Sequence, residues 1–285
     1  MTGFYRPDTV EEAVKFLREN PRAAVLSGGT DLIIAVKEGK RRPDAYIDIT
    51  GIREMREIRV EKGRIFLGAA VTFSEAERNP RLRQFCPLLC RAAAAVGSPQ
   101  IRSRGTFGGN TANASPAADT VPALTVLEAE AEIAGPDGRR RIKIEELIIG
   151  SGKTGLKRTE CITGFHIVLP TGDTRYGYGK IGRRNALAIS RLNGACLMRE
   201  ENGIVREARL CIGAAADHPA RCFGAEKILT GRRPDPDLWA QAGRAVRDFL
   251  LAETGLRSSS AYKLPAAEEF SGRLLKNTWE GRQWR

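Results

Sequence analysis

The chain has 285 residues, of which 42% are hydrophobic and 28% charged, and its formal net charge is +12. These values are typical of a soluble protein with room for one large domain or two to three small ones. The sequence has no apolar run approaching the ~18 residues of a membrane span and no basic-then-apolar leader, so we predict neither a span nor a secretory signal, and a cytoplasmic location.

Charge and cysteine content also restrict the possible partners. The positive charge admits a nucleic-acid-binding protein as an alternative. However, the basic residues are spread along the chain and aromatic residues make up only 6%, which favours solubility or a negatively charged partner subunit. The six cysteines show no CxxC spacing, so we expect buried thiols and no metal site in this chain.

The first fifty residues alternate between helix and strand signals. Thr9 to Glu12 has the form of a capping box and predicts a helix from Val10 to about Glu19. Strand signals over 23–26 and 45–49 flank the glycine-rich stretch SGGTD, at Ser27 to Asp31, and a short helix. Because free amides in such a loop suit an anion, this stretch is the first candidate binding loop.

The next segment combines hairpin and helix signals. Two strand-like runs flank Lys62-Gly63 and predict one hairpin. A second hairpin is predicted over 129–144, with its turn at Pro136 to Gly138. Helices are predicted from Thr72 and over 86–96, and the segment ends in a strand that closes near Pro170.

The stretch from Gly97 to Leu127, GSPQIRSRGTFGGNTANASPAADTVPALTVL, is the second candidate binding loop. It places glycines at 105, 108 and 109 among hydroxyl and amide side chains, a composition typical of a loop that wraps a polar ligand. Ser115 suits an N-cap and Pro116 a first helical residue, so we expect a helix from about Pro116 whose N-terminus faces the loop and suits phosphate. Neither loop matches the GxGxxG or GxxxxGKS/T patterns. The sequence therefore predicts a nucleotide held by two loops and disfavours the usual nicotinamide-binding fold.

After a predicted linker at Pro170 to Asp173, the pattern is that of a β-meander followed by helices. Asn202-Gly203 is a favoured turn between the last two strands. Strand signals cover 175–180, 194–199 and 204–212, and helix signals cover 220–229, 237–252 and 260–279. This order predicts a compact α+β domain.

The two loops together resemble a known family. SGGTDL, followed further on by QIRSRGTFGGNTANASPAADTVPAL, resembles the FAD-binding subunit of molybdenum hydroxylases, the family of xanthine dehydrogenase and aerobic carbon monoxide dehydrogenase. The resemblance covers essentially the whole chain, from FYRPDTVEEAVKFL to AYKLPAAEEFSGRLLKNTW. It implies an α+β fold, with a two-lobed FAD-binding domain of the PCMH/vanillyl-alcohol-oxidase type over 1–172 (lobes about 1–55 and 56–172) and a C-terminal α+β domain over 173–285.

The resemblance also implies the residues that contact FAD. They are Val25, Leu26, Ser27, Gly28, Gly29, Thr30, Asp31, Leu32, Thr106, Gly109, Asn110, Asp119, Ile162 and Lys180. By this resemblance Asp119 accepts hydrogen bonds from ribityl hydroxyls, Ile162 packs near the isoalloxazine ring, and Lys180 places a cation at the pyrimidine end. The residues alone also admit plainer interpretations: a favourable charge near a helix N-terminus, a buried strand residue and a solvated lysine.

One departure from the family concerns the flavin face. Eukaryotic members carry an aromatic residue ahead of the second loop, where this chain has Ala94, Ala95 and Val96. Tyr176 and Tyr178 are the candidates to replace it. Neither loop contains His or Cys, so we expect FAD to be bound non-covalently.

The resemblance assigns hydroxylation to other chains. In this family a molybdopterin large subunit carries out that reaction, and an iron–sulfur small subunit holds two 2Fe–2S clusters. We therefore predict an FAD-carrying electron-transfer subunit of a xanthine dehydrogenase-like complex, an oxidoreductase that takes electrons from the partner's clusters and passes them on to NAD or another acceptor. We expect no catalytic acid–base or metal-binding residues in this chain. A stand-alone FAD-dependent oxidoreductase of the same fold and, less favoured, a nucleic-acid-binding protein stay open as alternatives.

Overall fold

The first fifty residues form a small parallel sheet with two helices. The structure, a computed structural model, describes residues 3–184 and 187–284. The elements are β1 (Gly3–Tyr5), α1 (Val10–Glu19), β2 (Ala24–Leu26), α2 (Leu32–Lys37) and β3 (Ala45–Asp48), with strand order β1-β3-β2. The predicted α1 is confirmed: the Thr9 hydroxyl accepts a hydrogen bond from the Glu12 amide at 3.2 Å. The apolar face of the helix is buried against the sheet.

A five-stranded antiparallel sheet, in the order β4-β5-β10-β6-β7, forms the centre of the molecule. The elements are β4 (Ile58–Glu61), β5 (Arg64–Gly68), α3 (Phe73–Arg78), α4 (Pro80–Phe85), α5 (Pro87–Ala94), α6 (Pro99–Arg104), α7 (Phe107–Asn113), α8 (Val121–Val126), β6 (Glu130–Gly135), β7 (Gly138–Lys143), α9 (Ile144–Leu147), β8 (Ile148–Gly150), β9 (Lys153–Thr154) and β10 (Cys161–Val168). The predicted hairpin at Lys62-Gly63 is confirmed, because both residues adopt the positive φ (47° and 72°) that a two-residue primed turn requires.

The second glycine loop differs from its prediction. It contains two short helices, α6 and α7, and the Thr106 hydroxyl caps α7 by accepting a hydrogen bond from the Gly109 amide at 3.1 Å. The expected helix from Pro116 is wrong, because the chain turns there and α8 begins at Val121. A helix from Pro116 would carry Pro122 in its interior, which costs about 3 kcal/mol through a lost hydrogen bond and a steric clash. In the first turn of α8 the proline is tolerated.

A second antiparallel sheet, in the order β11-β12-β13-β14, and three helices complete the chain. The elements are β11 (Thr174–Gly182), β12 (Ser190–Glu201), β13 (Ile204–Gly213), β14 (Ala220–Arg221), α10 (Phe223–Leu229), α11 (Pro236–Thr254) and α12 (Ser260–Trp279). Alternate residues of β12 enter different cores: Ala195 and Leu197 join the core built on the central sheet, while Cys196 and Met198 pack with α10 to α12. One face of this C-terminal sheet therefore packs on the first part of the molecule.

The helices of residues 3–184 and 187–284 include none that combines the length and the hydrophobicity of a bilayer-crossing segment.

Candidate functional site

A cavity of about 340 Å³ lies between the two glycine loops. The first loop follows β2 directly, and the second supplies residues around the N-terminus of α7. The volume lies within the roughly 300–1,000 Å³ usual for small-molecule sites. The two glycine-rich loops, which are far apart in sequence, thus form one site.

Two contacts hold the loops against each other. The Ser27 and Thr106 hydroxyls, both buried, share a hydrogen bond of 3.0 Å. A Cβ atom at Gly28 would overlap the Arg104 carbonyl oxygen and lie 2.8 Å from the Cα of Gly105. Glycine at position 28 is therefore what allows the two backbones to touch.

The backbone amides of the two loops are used differently. In the second loop the Gly108 amide donates to the Ala69 carbonyl at 2.8 Å, and the Gly109 amide donates to the Thr106 hydroxyl. In the first loop the amides of Gly28, Gly29 and Thr30 have no acceptor within the described ranges. The first loop consequently retains free donors for an anion, while the second offers close approach.

Most predicted contact residues line this cavity. They are Val25, Ser27, Gly28, Gly29, Thr30, Asp31, Leu32, Thr106, Gly109, Asn110 and Ile162. Three others, Leu26, Asp119 and Lys180, are not part of its lining. The structure thus brings residues from three separate stretches of sequence to one place.

The cavity lining also includes residues that were not predicted from the sequence. Three cations, Arg41, Lys157 and Arg158, contribute to its lining, as does Phe73, whose ring packs edge-on against Phe107 with centroids 5.5 Å apart. The proximity of Lys157 and Arg158 to Ile162 in sequence could have indicated them. Nothing in the sequence around Arg41 or Phe73 points to this site.

Phe73 is the aromatic residue of the cavity, and the lining in the described ranges includes neither Tyr176 nor Tyr178. The Tyr178 side chain is instead buried, with its hydroxyl 3.4 Å from Asp119 Oδ1. Burial, and then the negative charge of Asp119, raise the pKa of Tyr178 well above its ordinary value. Val96, at the position ahead of the second loop, does line the cavity.

The buried Asp119 forms an ion pair with the partly buried Lys180. The Lys180 Nζ lies 2.6 Å from Asp119 Oδ2 and also donates to the Ala95 carbonyl at 2.8 Å. Asp119 Oδ1 accepts hydrogen bonds from Ser190 at 2.6 Å and from Asn193 at 2.9 Å. Both charges are thus compensated and hydrogen-bonded, as buried charges must be.

The six cysteines are free and buried. Burial raises the pKa of Cys86, Cys161 and Cys196 to about 12 in each case, so these thiols stay protonated near neutral pH. Across the described ranges, no three His, Cys, Asp or Glu side chains are grouped as metal ligands. The cysteines behave as small hydrophobic residues.

The chain matches two known protein families. A family described as "FAD binding domain in molybdopterin dehydrogenase" matches residues 1–171, more than half of the chain. The chain belongs to the FAD-binding subunits of the molybdenum hydroxylases. A second family, "CO dehydrogenase flavoprotein C-terminal domain", matches residues 178–278 of this subunit.

Individual relatives agree with this assignment. The subunit is 33% identical to the xanthine dehydrogenase FAD-binding subunit of Escherichia coli O157:H7 over 276 residues, covering 96% of this chain and 92% of the relative. It is 34% identical to the nicotinate dehydrogenase FAD-subunit of Eubacterium barkeri over 234 residues, covering 80% and 79% of the two chains.

A solved structure of carbon monoxide dehydrogenase from Hydrogenophaga pseudoflava matches with a TM-score of 0.93 and 27% identity, covering 98% of this chain and 97% of the other. The predicted fold, an FAD-binding domain followed by a C-terminal domain, is therefore confirmed, as are the oxidoreductase class and the cofactor.

The chemistry of the cavity fits FAD. Free amides in the first loop suit a diphosphate, which carries negative charge and accepts hydrogen bonds. Apolar side chains, among them Val96, Ile101 and Ile162, supply a wall that suits planar rings. The cations of the lining add positive charge to the same space.

Proposed function

We propose that this subunit transfers electrons between the 2Fe–2S clusters of an iron–sulfur small subunit and NAD or another acceptor. In this proposal a molybdopterin large subunit carries out the hydroxylation. FAD, held non-covalently, supplies the redox chemistry, because a flavin exchanges single electrons as well as a hydride. The observation that carries the proposal is the single cavity built by both glycine loops, in a chain of this family.

We assign the FAD diphosphate to the first loop, over Val25 to Leu32. The free amides of Gly28, Gly29 and Thr30 support this assignment, because they are donors without a protein acceptor in the described ranges. On the opposite side we assign Thr106, Gly109 and Asn110 to FAD, and their place in the cavity lining supports that assignment.

We also assign Ile162, Asp119 and Lys180 to the flavin end. Ile162 is 4% exposed and contributes an apolar wall that excludes water. Lys180, paired with Asp119, provides a cation in a fixed position. Support for the two charged residues comes from their pairing and from the burial of Asp119, since neither lines the cavity.

The division into domains follows the same proposal. We place the FAD-binding domain at 1–172 and the C-terminal domain at 173–285. The family matches over 1–171 and 178–278 support this division. So does the change of sheet between β10 and β11, since β10 belongs to the central sheet and β11 to the C-terminal sheet.

A second groove supports an anionic acceptor such as NAD. This groove is open to solvent and has a volume of about 670 Å³. Its lining consists of Arg183, Arg184, Leu187, Ala188, Ile189, Ser190, Arg191 and Lys263. In the described ranges none of its four cations forms an ion pair with a carboxylate. Burial, followed by the charges of Arg191 and Arg257, lowers the pKa of Lys263.

The test compares the subunit alone with the complex it co-purifies with. We expect the subunit alone to carry FAD, to reduce a dye with NADH, and to contain neither iron nor molybdenum in stoichiometric amount. Hydroxylation of a purine should require the co-purified subunits. Hydroxylase turnover by the single chain would contradict the proposal and favour a stand-alone oxidoreductase.

A further inference from the structure

The Asp119 carboxylate joins two parts of the chain that the family matches assign to different domains. Asp119 lies within residues 1–171, just ahead of α8, and its four donors lie on β11 and β12. These donors are Tyr178, Lys180, Ser190 and Asn193. Asp119, Ser190 and Asn193 are 7%, 7% and 0% exposed, so the hydrogen bonds among these three residues are shielded from solvent.

The two carboxylate oxygens have different partners. Ser190 and Asn193 donate to Oδ1, as Tyr178 does over a longer distance of 3.4 Å, whereas Lys180 pairs with Oδ2. With Oδ1 anchored by two short hydrogen bonds, the carboxylate cannot rotate freely about its Cβ–Cγ bond. The hydrogen bonds on Oδ1 therefore fix the position of Oδ2. They thereby also fix the position of the Lys180 ammonium group that pairs with Oδ2.

Asn193 uses only its amide nitrogen, and not its amide oxygen, in these hydrogen bonds. Its Nδ2 donates to Asp119 Oδ1 and, at 3.4 Å, to the Ala118 carbonyl. Its Oδ1 is buried without a partner in the described part of the chain, which is uncommon for a buried amide. Gly213 leaves room for that oxygen, since a Cβ there would overlap it. Packing alone does not account for a buried amide in this arrangement.

Lys180 carries the connection to the cavity wall. Its Nζ also donates to the Ala95 carbonyl, and the next residue, Val96, lines the cavity between the glycine loops. A chain of direct contacts therefore runs from β12 through Asp119 and Lys180 to that wall.

We infer that Ser190 and Asn193 are positioning residues that orient the Asp119 carboxylate and thereby fix the Lys180 ammonium beside the cavity wall. Removing either donor takes away one of the two short hydrogen bonds on Oδ1, allows the carboxylate more rotation, and loosens the Lys180 ammonium. The Lys180 side chain is only 16% exposed and its ammonium group is held between two acceptors, which shields it from an electrophile, so loosening it should increase its reactivity.

The experiment measures this reactivity directly on the FAD-loaded subunit. Wild type, Ser190→Ala, Asn193→Leu and the conservative Ser190→Thr are labelled briefly with an amine-reactive reagent, and modification of Lys180 is quantified by peptide mass spectrometry. We expect several-fold faster labelling in Ser190→Ala and Asn193→Leu, and a rate close to wild type in Ser190→Thr. Met198→Ala is the matched control, because Met198 is buried on the same strand but packs in the other core.

Met198→Ala should lower the melting temperature without changing the labelling of Lys180. Unchanged labelling in both Ser190→Ala and Asn193→Leu would overturn the inference. If Asn193→Leu does not fold, Ser190→Ala alone decides, since it removes only one oxygen atom.

A second measurement separates this inference from the proposed function, on which its relation to the flavin rests. The midpoint potential of bound FAD is determined for the same variants. Faster labelling with a shifted potential supports both the positioning role and the assignment of Lys180 to FAD. Faster labelling with an unchanged potential supports the positioning role and contradicts that assignment.

Discussion

Gly28 packs directly on the backbone of Arg104, and no side chain can stand between them. An added Cβ would overlap the Arg104 carbonyl oxygen, so the first glycine loop touches the second only because residue 28 has no side chain. The nearby hydrogen bond between Ser27 and Thr106, at 3.0 Å, joins the same two loops. This contact joins the two loops that line the cavity we assign to FAD.

Gly28→Ala should separate the two loops. We expect FAD affinity to fall by at least about tenfold, which corresponds to about 1.4 kcal/mol of binding free energy. Stability should fall by about 1–3 kcal/mol, the usual effect of overpacking. Gly224→Ala is the control, since a Cβ there meets no atom within 4 Å. Fluorescence titration with FAD and thermal unfolding measure the two effects, and FAD affinity equal to wild type in Gly28→Ala would show that the loop contact is dispensable.

Gly108 and Gly109 should respond differently although they are neighbours. A Cβ at Gly108 would lie 2.6 Å from the Ala69 Cβ and 2.7 Å from its carbonyl oxygen, so Gly108→Ala should destabilise the fold. A Cβ at Gly109 meets only the Thr106 hydroxyl, at 3.0 Å, and enters the cavity lining. Gly109→Ala should therefore lower FAD affinity with little change in apo stability, and Gly109→Val should lower it further. Equal effects of the two alanine substitutions on unfolding of the apo protein would argue against this distinction.

The sequence predicted much of the fold because its local signals agree with the tertiary structure. The hairpin at Lys62-Gly63 and the helix capped by Thr9 depend on residues that are adjacent in sequence. The predicted β-meander and its following helices were confirmed for the same reason, with Asn202 and Gly203 both at positive φ, except that the first helix begins at Phe223 and the two residues at 220–221 form β14. Both glycine loops were recognised, and the structure unites them.

Other features depended on contacts that sequence does not display. The prediction of a helix from Pro116 was wrong because Pro122 lies in the first turn of α8 and not in the interior of a longer helix. The pairing of Asp119 with Lys180 joins residues 61 positions apart, and no local pattern indicates it. Phe73 reaches the cavity only because α3 packs beside the second loop.

Thr106 serves both loops, so its substitution should affect stability and binding together. Thr106→Ala removes the N-cap of α7 and the hydrogen bond to Ser27, and we expect a loss of about 1–2 kcal/mol in the free energy of unfolding. FAD affinity should also fall. Thr106→Ser keeps the hydroxyl and should stay close to wild type in both urea unfolding and FAD titration. A serine variant as damaged as the alanine variant would show that the methyl group, and not the hydroxyl, matters.

The buried thiols should be unreactive in the native protein. Burial raises the pKa of Cys86, Cys161 and Cys196 to about 12, far above the ~8.5 of a free thiol, so at about pH 8 they remain protonated as well as inaccessible. A chromogenic disulfide reagent should therefore react with fewer than one thiol per native chain and with all six after denaturation.

The same pKa shifts make the stability of the protein depend on pH. Because the folded thiols hold their protons while unfolded ones ionise, the free energy of unfolding should decrease as pH rises from about 8.5 toward 12. Urea unfolding at several pH values measures this decrease. Rapid labelling of several native thiols would contradict the burial that underlies both expectations.

The most direct test of the central claim is the flavin content of this chain purified without its partners. The protein is precipitated with acid, and the flavin in the supernatant is identified as FAD and compared with the amount of chain. Since the two loops form a single cavity without His or Cys in either loop, we predict one FAD per chain, fully released into the supernatant. A chain that binds no FAD, or a flavin that stays with the precipitate, would contradict the account.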